Sequence, residues 1–403
     1  SNRLTRGTMA ISNKERAYLK SHPWITFLFD MRKLDYQTWI LSGEAKSKCL
    51  HVRGAPLLPD VVKSLFGIAL VKGALATTAI EGNTLSEEEV ARRIQGNLDL
   101  PPSKEYLGKE IDNIVVAYNK IGRRVLANSF TQLNVQEIKD FNKLVLDGLP
   151  VEKDVVPGEI RKHSVGVGSY RGAPPEDCEY LLEKYVEWLN QDFSVPKGQE
   201  MIFGILKAIM SHLYFVWIHP FGDGNGRTAR LIEFQILLSV GVPAASAHLM
   251  SNHYNATRSE YYRQLDMSSK SKGDVSQFIK YALQGFVDGL QNQIEMIQSQ
   301  QLYVHWINHV HRTFQDKDRE EDKRRRKLVL ELSDTKDYVP LTDVRHISPK
   351  TAEMYANLTD KTVERDIERL VNLDLVVKEK KKGIRPKWEI LQTYLSPAVK
   401  DKR

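Results

Sequence analysis

Twelve consecutive residues, His219-Pro220-Phe221-Gly222-Asp223-Gly224-Asn225-Gly226-Arg227-Thr228-Ala229-Arg230, bring together a base, a carboxylate, an amide, three glycines and two fixed cations. That mixture suits phosphate chemistry. His219, with an unperturbed pKa near neutrality, can take a proton from an attacking hydroxyl. Asp223 can hold Mg2+, which takes one or two carboxylates together with phosphate oxygens and water. Asn225 can donate to a phosphate oxygen. Arg227 and Arg230, three apart, fall on one face of a helical turn, where both guanidinium groups can meet the same polyphosphate. A calcium loop is excluded, because the next ligand position is Arg227 and no Glu stands at the twelfth position.

The elements around this stretch must hold it open. Residues 200–218 form an apolar run long enough for a buried helix, and 228–240 resume a helical pattern rich in Leu and Ile. The twelve residues are therefore a loop between two helices. Pro220, which lacks an N–H and clashes with the preceding turn, ends the first helix. Gly224 and Gly226 let backbone N–H groups approach an anion as the second helix begins, and its N-terminus adds free donors and a positive dipole end.

Taken whole, residues 219–230 resemble the signature of the Fic family, His-x-Phe-x-(Asp/Glu)-Gly-Asn-Gly-Arg-x-x-Arg, at every specified position. The resemblance implies a mainly α-helical Fic core with a β-hairpin flap, and transfer of AMP from ATP to a protein hydroxyl with Mg2+ required. By the same resemblance His219 is the general base, Asp223 the metal ligand, and Arg227 an anchor for the β- and γ-phosphates. Asn225 with the backbone of Gly222, Gly224 and Gly226 becomes an anion cradle, and Arg230 completes the ATP site. Gly224 and Gly226 keep the form associated with AMP transfer, whereas phosphate-transferring relatives carry Lys for the second Gly.

A second motif lies upstream. Thr77-Thr78-Ala79-Ile80-Glu81-Gly82 matches the Fic inhibitory pattern, (Ser/Thr)-x-x-x-Glu-(Gly/Asn). The resemblance implies that Glu81 pairs with Arg230 and occupies space the γ-phosphate needs. Asp60 reads as the N-cap of a helix from Val61 to about Ile80, and Ser86 with Glu89 as a capping box for the next.

Helical spacing also marks 104–121 and 131–147 as core helices, while 12–48, rich in aromatics such as Trp24, Phe27 and Trp39, reads as short helices packed on the main domain. Alternation about Val165, Gly166 and Val167 favours a small hairpin, similar to the Fic flap that docks an extended target segment by main-chain hydrogen bonds. Tyr262, second of the pair Tyr261-Tyr262, falls where related enzymes place an aromatic near adenine; Ser269 stands where some relatives carry Asn. His305 and His309 share a helix face, but no third zinc ligand is identifiable.

Composition bounds the rest. The 403 residues carry a net charge of +7, which permits nucleic-acid contact without demanding it. Two cysteines exclude a disulfide framework and suggest a reducing, cytoplasmic setting. Lys207 and His212 interrupt the most apolar stretch, so no membrane-spanning helix is expected. The expected organisation is an N-terminal helical region, 1–100, a catalytic core, 101–312, a charged connection, 313–327, and a C-terminal domain, 328–403. That last part resembles a winged helix: three helical patterns, with Arg365 and Arg369 exposed on the third, precede strands at 375–378 and 387–390 that form a wing around Lys380-Lys381-Lys382.

The sequence thus points to an autoinhibited, Mg2+-dependent protein adenylyltransferase acting on Ser, Thr or Tyr hydroxyls, its target at the flap, with self-modification and homodimer formation open. The competing readings are a DNA-binding regulator whose Fic domain senses nucleotide, and a Fic enzyme that removes AMP or transfers another phosphate-containing group.

Overall fold

The computed structural model describes residues 16–391 apart from 128–131, 169, 192–194 and 336. Two compact units divide between Ile294 and Glu295.

The first unit is helical. Its elements are α1 (Tyr18–Ser21), α2 (Tyr36–Gly54), α3 (Pro59–Ala79), α4 (Glu87–Ile94), α5 (Glu105–Leu126), α6 (Val135–Val145), the hairpin β1 (Gly166–Val167) and β2 (Tyr170–Arg171), α7 (Cys178–Asn190), α8 (Glu200–Ile218), α9 (Asn225–Ser239), α10 (Leu249–Ala256), α11 (Arg258–Lys270) and the start of α12 (Ser276–Thr313). At the centre α8 packs on α9; α2 and α7 cover α8, and α3, α5 and α6 cover α9. Leu206, Ile209, Leu213 and Phe215 of α8 are fully buried, as are Leu231, Ile232 and Leu237 of α9. Helix α8 is apolar nearly all round, as a buried helix can be, whereas α9 also buries Arg227, Arg230, Glu233 and Gln235. By length and composition both α8 and α3 could cross a membrane, but α8 is the core helix here.

Among the described residues, the core of this unit runs from Ile25 to Leu290 and takes in side chains from both the expected N-terminal region and the expected catalytic core. Helix α3 begins at Pro59 rather than at Val61: Leu58 is the N-cap, Pro59 takes the first helical position that its fixed φ suits, and Asp60 lies in the first turn. The capping box forms as read, Ser86 N–H donating to Glu89 Oε2 at 2.8 Å and Glu89 N–H to Ser86 Oγ at 3.2 Å. In place of short helices alone, the N-terminal region contains the 19-residue α2.

In the second unit α13 (Glu320–Ser333), α14 (Pro349–Tyr355) and α15 (Asp360–Asn372) precede the antiparallel pair β3 (Val376–Glu379) and β4 (Gly383–Pro386). The charged run 313–327 is thus not a free connection. Most of it is the start of α13, with Glu320, Glu321 and Asp322 at the helix's positive end and Leu328, Val329 and Leu332 buried beyond them. The β-pair also closes earlier in the chain than expected. Its second strand is 383–386, where Ile384 exchanges backbone hydrogen bonds with Val339, each 2.8 Å, and Trp388–Leu391 is a 3-10 turn. Val363, Ile367 and Leu370 of α15 face inward, with Arg365 and Arg369 exposed.

Candidate functional site

Helix α8 ends at His219, whose backbone is left-handed at φ +52°, a conformation that His tolerates better than most residues. This turn aims the imidazole into a cavity of about 370 Å3 that Glu81, Val167, Tyr170, His219, Gly226, Tyr261 and Tyr262 help to line. Nδ1 is 3.3 Å from Val216 O. A carbonyl only accepts, so Nδ1 carries the proton and Nε2 the free lone pair. Burial pushes the His219 pKa down to about 4, against the Val216 hydrogen bond, with Arg161 adding to the drop and Glu81 and Asp223 resisting it.

The loop is braced from within. Phe221 N–H donates to Asn225 Oδ1 at 3.0 Å, and Asn225 Nδ2 donates to Phe221 O at 2.8 Å. Asn225, expected as a phosphate donor, therefore spends its amide on its own loop. Asn142 of α6 ties the loop to the core, donating to Asp223 O at 2.8 Å and accepting from Gly158 N–H at 2.9 Å. Gly224, at φ +75°, caps α9 with no side-chain partner and so leaves helix donors open. Gly222 packs against Val155.

Both arginines are covered, and both meet carboxylates. Arg230, 1% exposed, donates through Nη2 to Glu81 Oε1 at 2.5 Å and to Thr77 O at 2.8 Å. Arg227 donates through Nη1 to Glu110 Oε1 at 2.7 Å and through Nη2 to Asp223 Oδ1 at 3.3 Å. Yet Arg230 Nε and Nη1 and Arg227 Nε are buried with no hydrogen-bond partner among the described residues. Buried guanidinium donors left open are the signature of a site that expects an anion. With Glu81 in place, however, three carboxylates face two guanidiniums. Burial would raise the Glu81 acid, but Arg230, then Arg227 and His219, reverse the shift and hold it below the ordinary carboxylate value.

Thr77 is fully buried, its hydroxyl 2.8 Å from Tyr118 OH, and it meets Arg230 through its carbonyl. Tyr262 OH donates to Ile80 O at 3.3 Å, so the expected adenine-side aromatic touches the turn that carries Glu81. Behind the cavity His212 Nε2 lies 2.9 Å from Tyr261 OH, and its Nδ1 lies 2.9 Å from Glu233 Oε2.

The flap forms at the expected place, Gly166 opposite Arg171 and Val167 opposite Tyr170, with Val165 O accepting from Gly172 N–H at 3.1 Å at its root. Val167 is exposed and also borders the cavity. Arg161, which sequence reasoning passes over, fastens this hairpin to the loop: its guanidinium donates to His219 O at 2.7 Å, His163 O at 2.8 Å and Ala173 O at 2.5 Å. Glu110, Asn142 and Arg161 carry no local signal, since each is a single polar residue whose partner lies far along the chain.

Among the described residues no three His, Cys, Asp or Glu side chains converge as a metal site. Asp223 is half exposed, and its two hydrogen bonds both fall on Oδ1. A half-exposed carboxylate whose hydrogen bonds leave Oδ2 open fits Mg2+, which would complete its shell with phosphate and water.

Residues 132–237 match the Fic/DOC family. A protein adenylyltransferase, fic-1 of Caenorhabditis elegans, is 30% identical over 206 residues, 51% of this chain and 37% of that protein. Protein adenylyltransferase Fic of Nematostella vectensis is 25% identical over 273 residues, 68% of this chain and 57% of that protein. The chain thus spans less than two thirds of these relatives. In fold, it superposes on a Fic family protein from Desulfovibrio desulfuricans with a TM-score of 0.55 at 17% identity, covering 88% of this chain and 97% of the other. A structure of C. elegans Fic-1 gives a TM-score of 0.54 at 22% identity over 65% and 73% of the two chains.

Proposed function

We propose, from the match of residues 132–237 to the Fic/DOC family, that this chain is an autoinhibited protein adenylyltransferase, moving AMP from ATP to a protein hydroxyl. The observation that carries the proposal is the pairing of Glu81 with Arg230 at the edge of the cavity into which His219 points.

In this reading Nε2 of His219 accepts the proton of the acceptor hydroxyl. The oxygen bonds to the α-phosphorus, the bond from that phosphorus to the bridging oxygen breaks, and pyrophosphate leaves with the electron pair. Arg230, once released by Glu81, and Arg227 turn their open donors toward the outer phosphates, and the unpaired N–H groups at the start of α9 face the inner ones. Mg2+ at Asp223 would neutralise phosphate charge. Tyr262 would pack beside adenine, and the flap edge at Val165, Gly166 and Val167 would align the target segment. While Glu81 remains, the excess of carboxylates over guanidiniums opposes a triphosphate, and Tyr262 stays tied to the inhibitory turn.

The test is transfer of label from α-labelled ATP, with Mg2+, by the wild type and by Glu81→Gly and Glu81→Gly/His219→Ala. Glu81→Gly is expected to raise transfer by an order of magnitude or more, and adding His219→Ala to abolish it. Unchanged or lower transfer in a folded Glu81→Gly variant would falsify autoinhibition.

For the C-terminal unit we propose a winged-helix-like DNA contact, supported by exposed Arg365 and Arg369 on α15 and by Lys380, Lys381 and Lys382 between β3 and β4. Affinity for duplex DNA should fall as salt rises; no binding in low salt removes this role. Cys49 and Cys178, both buried and free, support a reducing, cytoplasmic setting.

A further inference from the structure

The turn that carries Glu81 is fastened at a second point. Asn83, 7% exposed, donates through Nδ2 to Glu110 Oε2 at 2.8 Å and to Leu107 O at 2.9 Å, while its Oδ1 accepts from Leu85 N–H at 3.0 Å. Glu110 spends its other oxygen on Arg227, whose Nη1 donates to Oε1 at 2.7 Å. One carboxylate on α5 therefore joins the inhibitory turn to the arginine on α9. Its chemistry is restrictive. A carboxylate offers two acceptors and no donor, whereas Gln at 110 would set an N–H against either Asn83 or Arg227. Its surroundings are restrictive too: the Glu110 side chain is 14% exposed, and burial raises its acid, with Arg227 and Asn83 opposing the rise and Asp223 and Glu81 adding to it.

We propose that Glu110 is a positioning residue: through Asn83 it pins the Glu81 turn, and through its second oxygen it aims Arg227, so that the two arginines of the anion site answer to one connected set of contacts. The role in inhibition rests on the adenylyltransferase reading above; the tether itself does not. With Asn83 and Glu110 joined, Glu81 is presented to Arg230 by a turn fixed on both sides. Once they part, residues 80–83 can swing away, and the Glu81–Arg230 pair weakens although neither member is altered.

Hydrogen exchange on the full chain tests the tether without nucleotide. The amides of Glu81, Gly82 and Asn83 donate within the turn, to Thr78 O at 3.0 Å, Ala79 O at 3.0 Å and Thr78 O at 3.1 Å, and report its release. Asn83→Asp keeps the size and the acceptor for Leu85 but turns carboxylate oxygen on both acceptors of the lost amide, Glu110 Oε2 and Leu107 O. Glu110→Gln misplaces a donor. Glu110→Gln is expected to speed exchange at residues 81–83 about tenfold, the loss of one hydrogen bond to a charged group, and Asn83→Asp, which also loses Leu107 O, by at least as much, with α9 amides unchanged. Combining the two exchanges the amide and the carboxylate across the 83–110 contact, so a donor again faces an acceptor there, while Leu107 O still lacks its donor, and exchange slows part of the way back toward wild type. A purely packing role would instead make the double variant the fastest. Unchanged exchange at 81–83 in either folded single variant, or no recovery in the double one, overturns the tether.

A second arm reads the coupling to inhibition. Asn83→Asp should raise AMP transfer about tenfold when Glu81 is present and change it less than twofold in the Glu81→Gly background. An equal gain in both backgrounds overturns the coupling. If Glu81→Gly itself transfers nothing, the adenylyltransferase reading fails, and the exchange measurement still decides the tether.

Discussion

Glu81 Oε1 occupies the space in which a side chain on Gly226 would stand: a Cβ built there would lie 2.1 Å from that oxygen and 3.2 Å from Arg230 Nη1. The glycine of the loop and the acid of the upstream turn are thus fitted to each other. Gly226→Ala should cost about 1–3 kcal/mol of stability, the usual penalty of overpacking. In a Glu81→Gly background that cost should nearly vanish. Urea unfolding of the four proteins forms the cycle, and additive losses would show that the two positions do not meet.

His219 sets a pH dependence of definite sign. Its folded pKa, about 4, lies below the ordinary 6.5, so the folded state prefers the neutral ring. The contribution to stability is complete above pH 6.5 and is lost as pH falls toward about 4. His219→Gln should therefore narrow the gap in stability between pH 7.5 and pH 4.5. Glu81 resists the depression, so Glu81→Gly should lower the ring's pKa further. Transfer by that variant should hold steady from pH 8 to about pH 5 if His219 alone sets its acid limb. An acid limb near 6.5 would show an exposed imidazole instead.

The exchange of hydrogen bonds between Asn225 and the backbone of Phe221 predicts a sharp response to a one-atom change. Asn225→Asp keeps the shape but removes the donor to Phe221 O, leaving a buried oxygen facing a carbonyl. A loss of about 1–3 kcal/mol is expected, with transfer in the Glu81→Gly background falling as the loop loosens. Thermal unfolding and label transfer would check this. A stable, fully active variant would instead return Asn225 to the role of a free ligand donor.

In the second unit Asp366 is fully buried and accepts from Arg324 Nε at 2.7 Å, Arg325 Nε at 2.8 Å and Tyr355 OH at 3.1 Å. Asp366→Leu would take from Arg324 its carboxylate, while Arg325 would keep Asp322 at 3.1 Å and Glu321 at 3.4 Å, and a loss on the order of 3 kcal/mol should follow. Far-ultraviolet dichroism during urea unfolding would register it. A change under 1 kcal/mol would mean that Arg324 and Arg325 reach water unaided.

How much of this is legible in the sequence depends on how far apart the partners lie. Residues 219–230 are contiguous, so residue type and order declare the loop, and the six-residue pattern ending at Gly82 declares its acidic counterpart. Helix periodicity likewise gives α5 and α6 to within a few residues. What stays hidden is pairing at a distance. Glu110 reads as one polar residue of an amphipathic helix, although it meets Arg227 across 117 positions, and Arg161 reads as one cation in a loop, although it meets His219 across 58. The Asn225 side chain could equally have pointed outward; only the packing around Phe221 turns it in. In the C-terminal unit the alternation of Trp388 and Ile390 with Lys387 and Glu389 mimics a strand, but the Ile384 ladder to Val339 fixes pairing earlier in the chain.

Arg161 has a further consequence. Because one side chain clasps the carbonyl of His219 and both roots of the hairpin, the edge that would receive a target and the ring that would deprotonate it share a common origin. A segment laid along β1 would then be graduated like a ruler, about 3.3 Å per residue with every second side chain turned the same way. Choice of acceptor would follow from offset along that scale, so that shifting a hydroxyl by one residue should silence a peptide whose composition is otherwise unchanged.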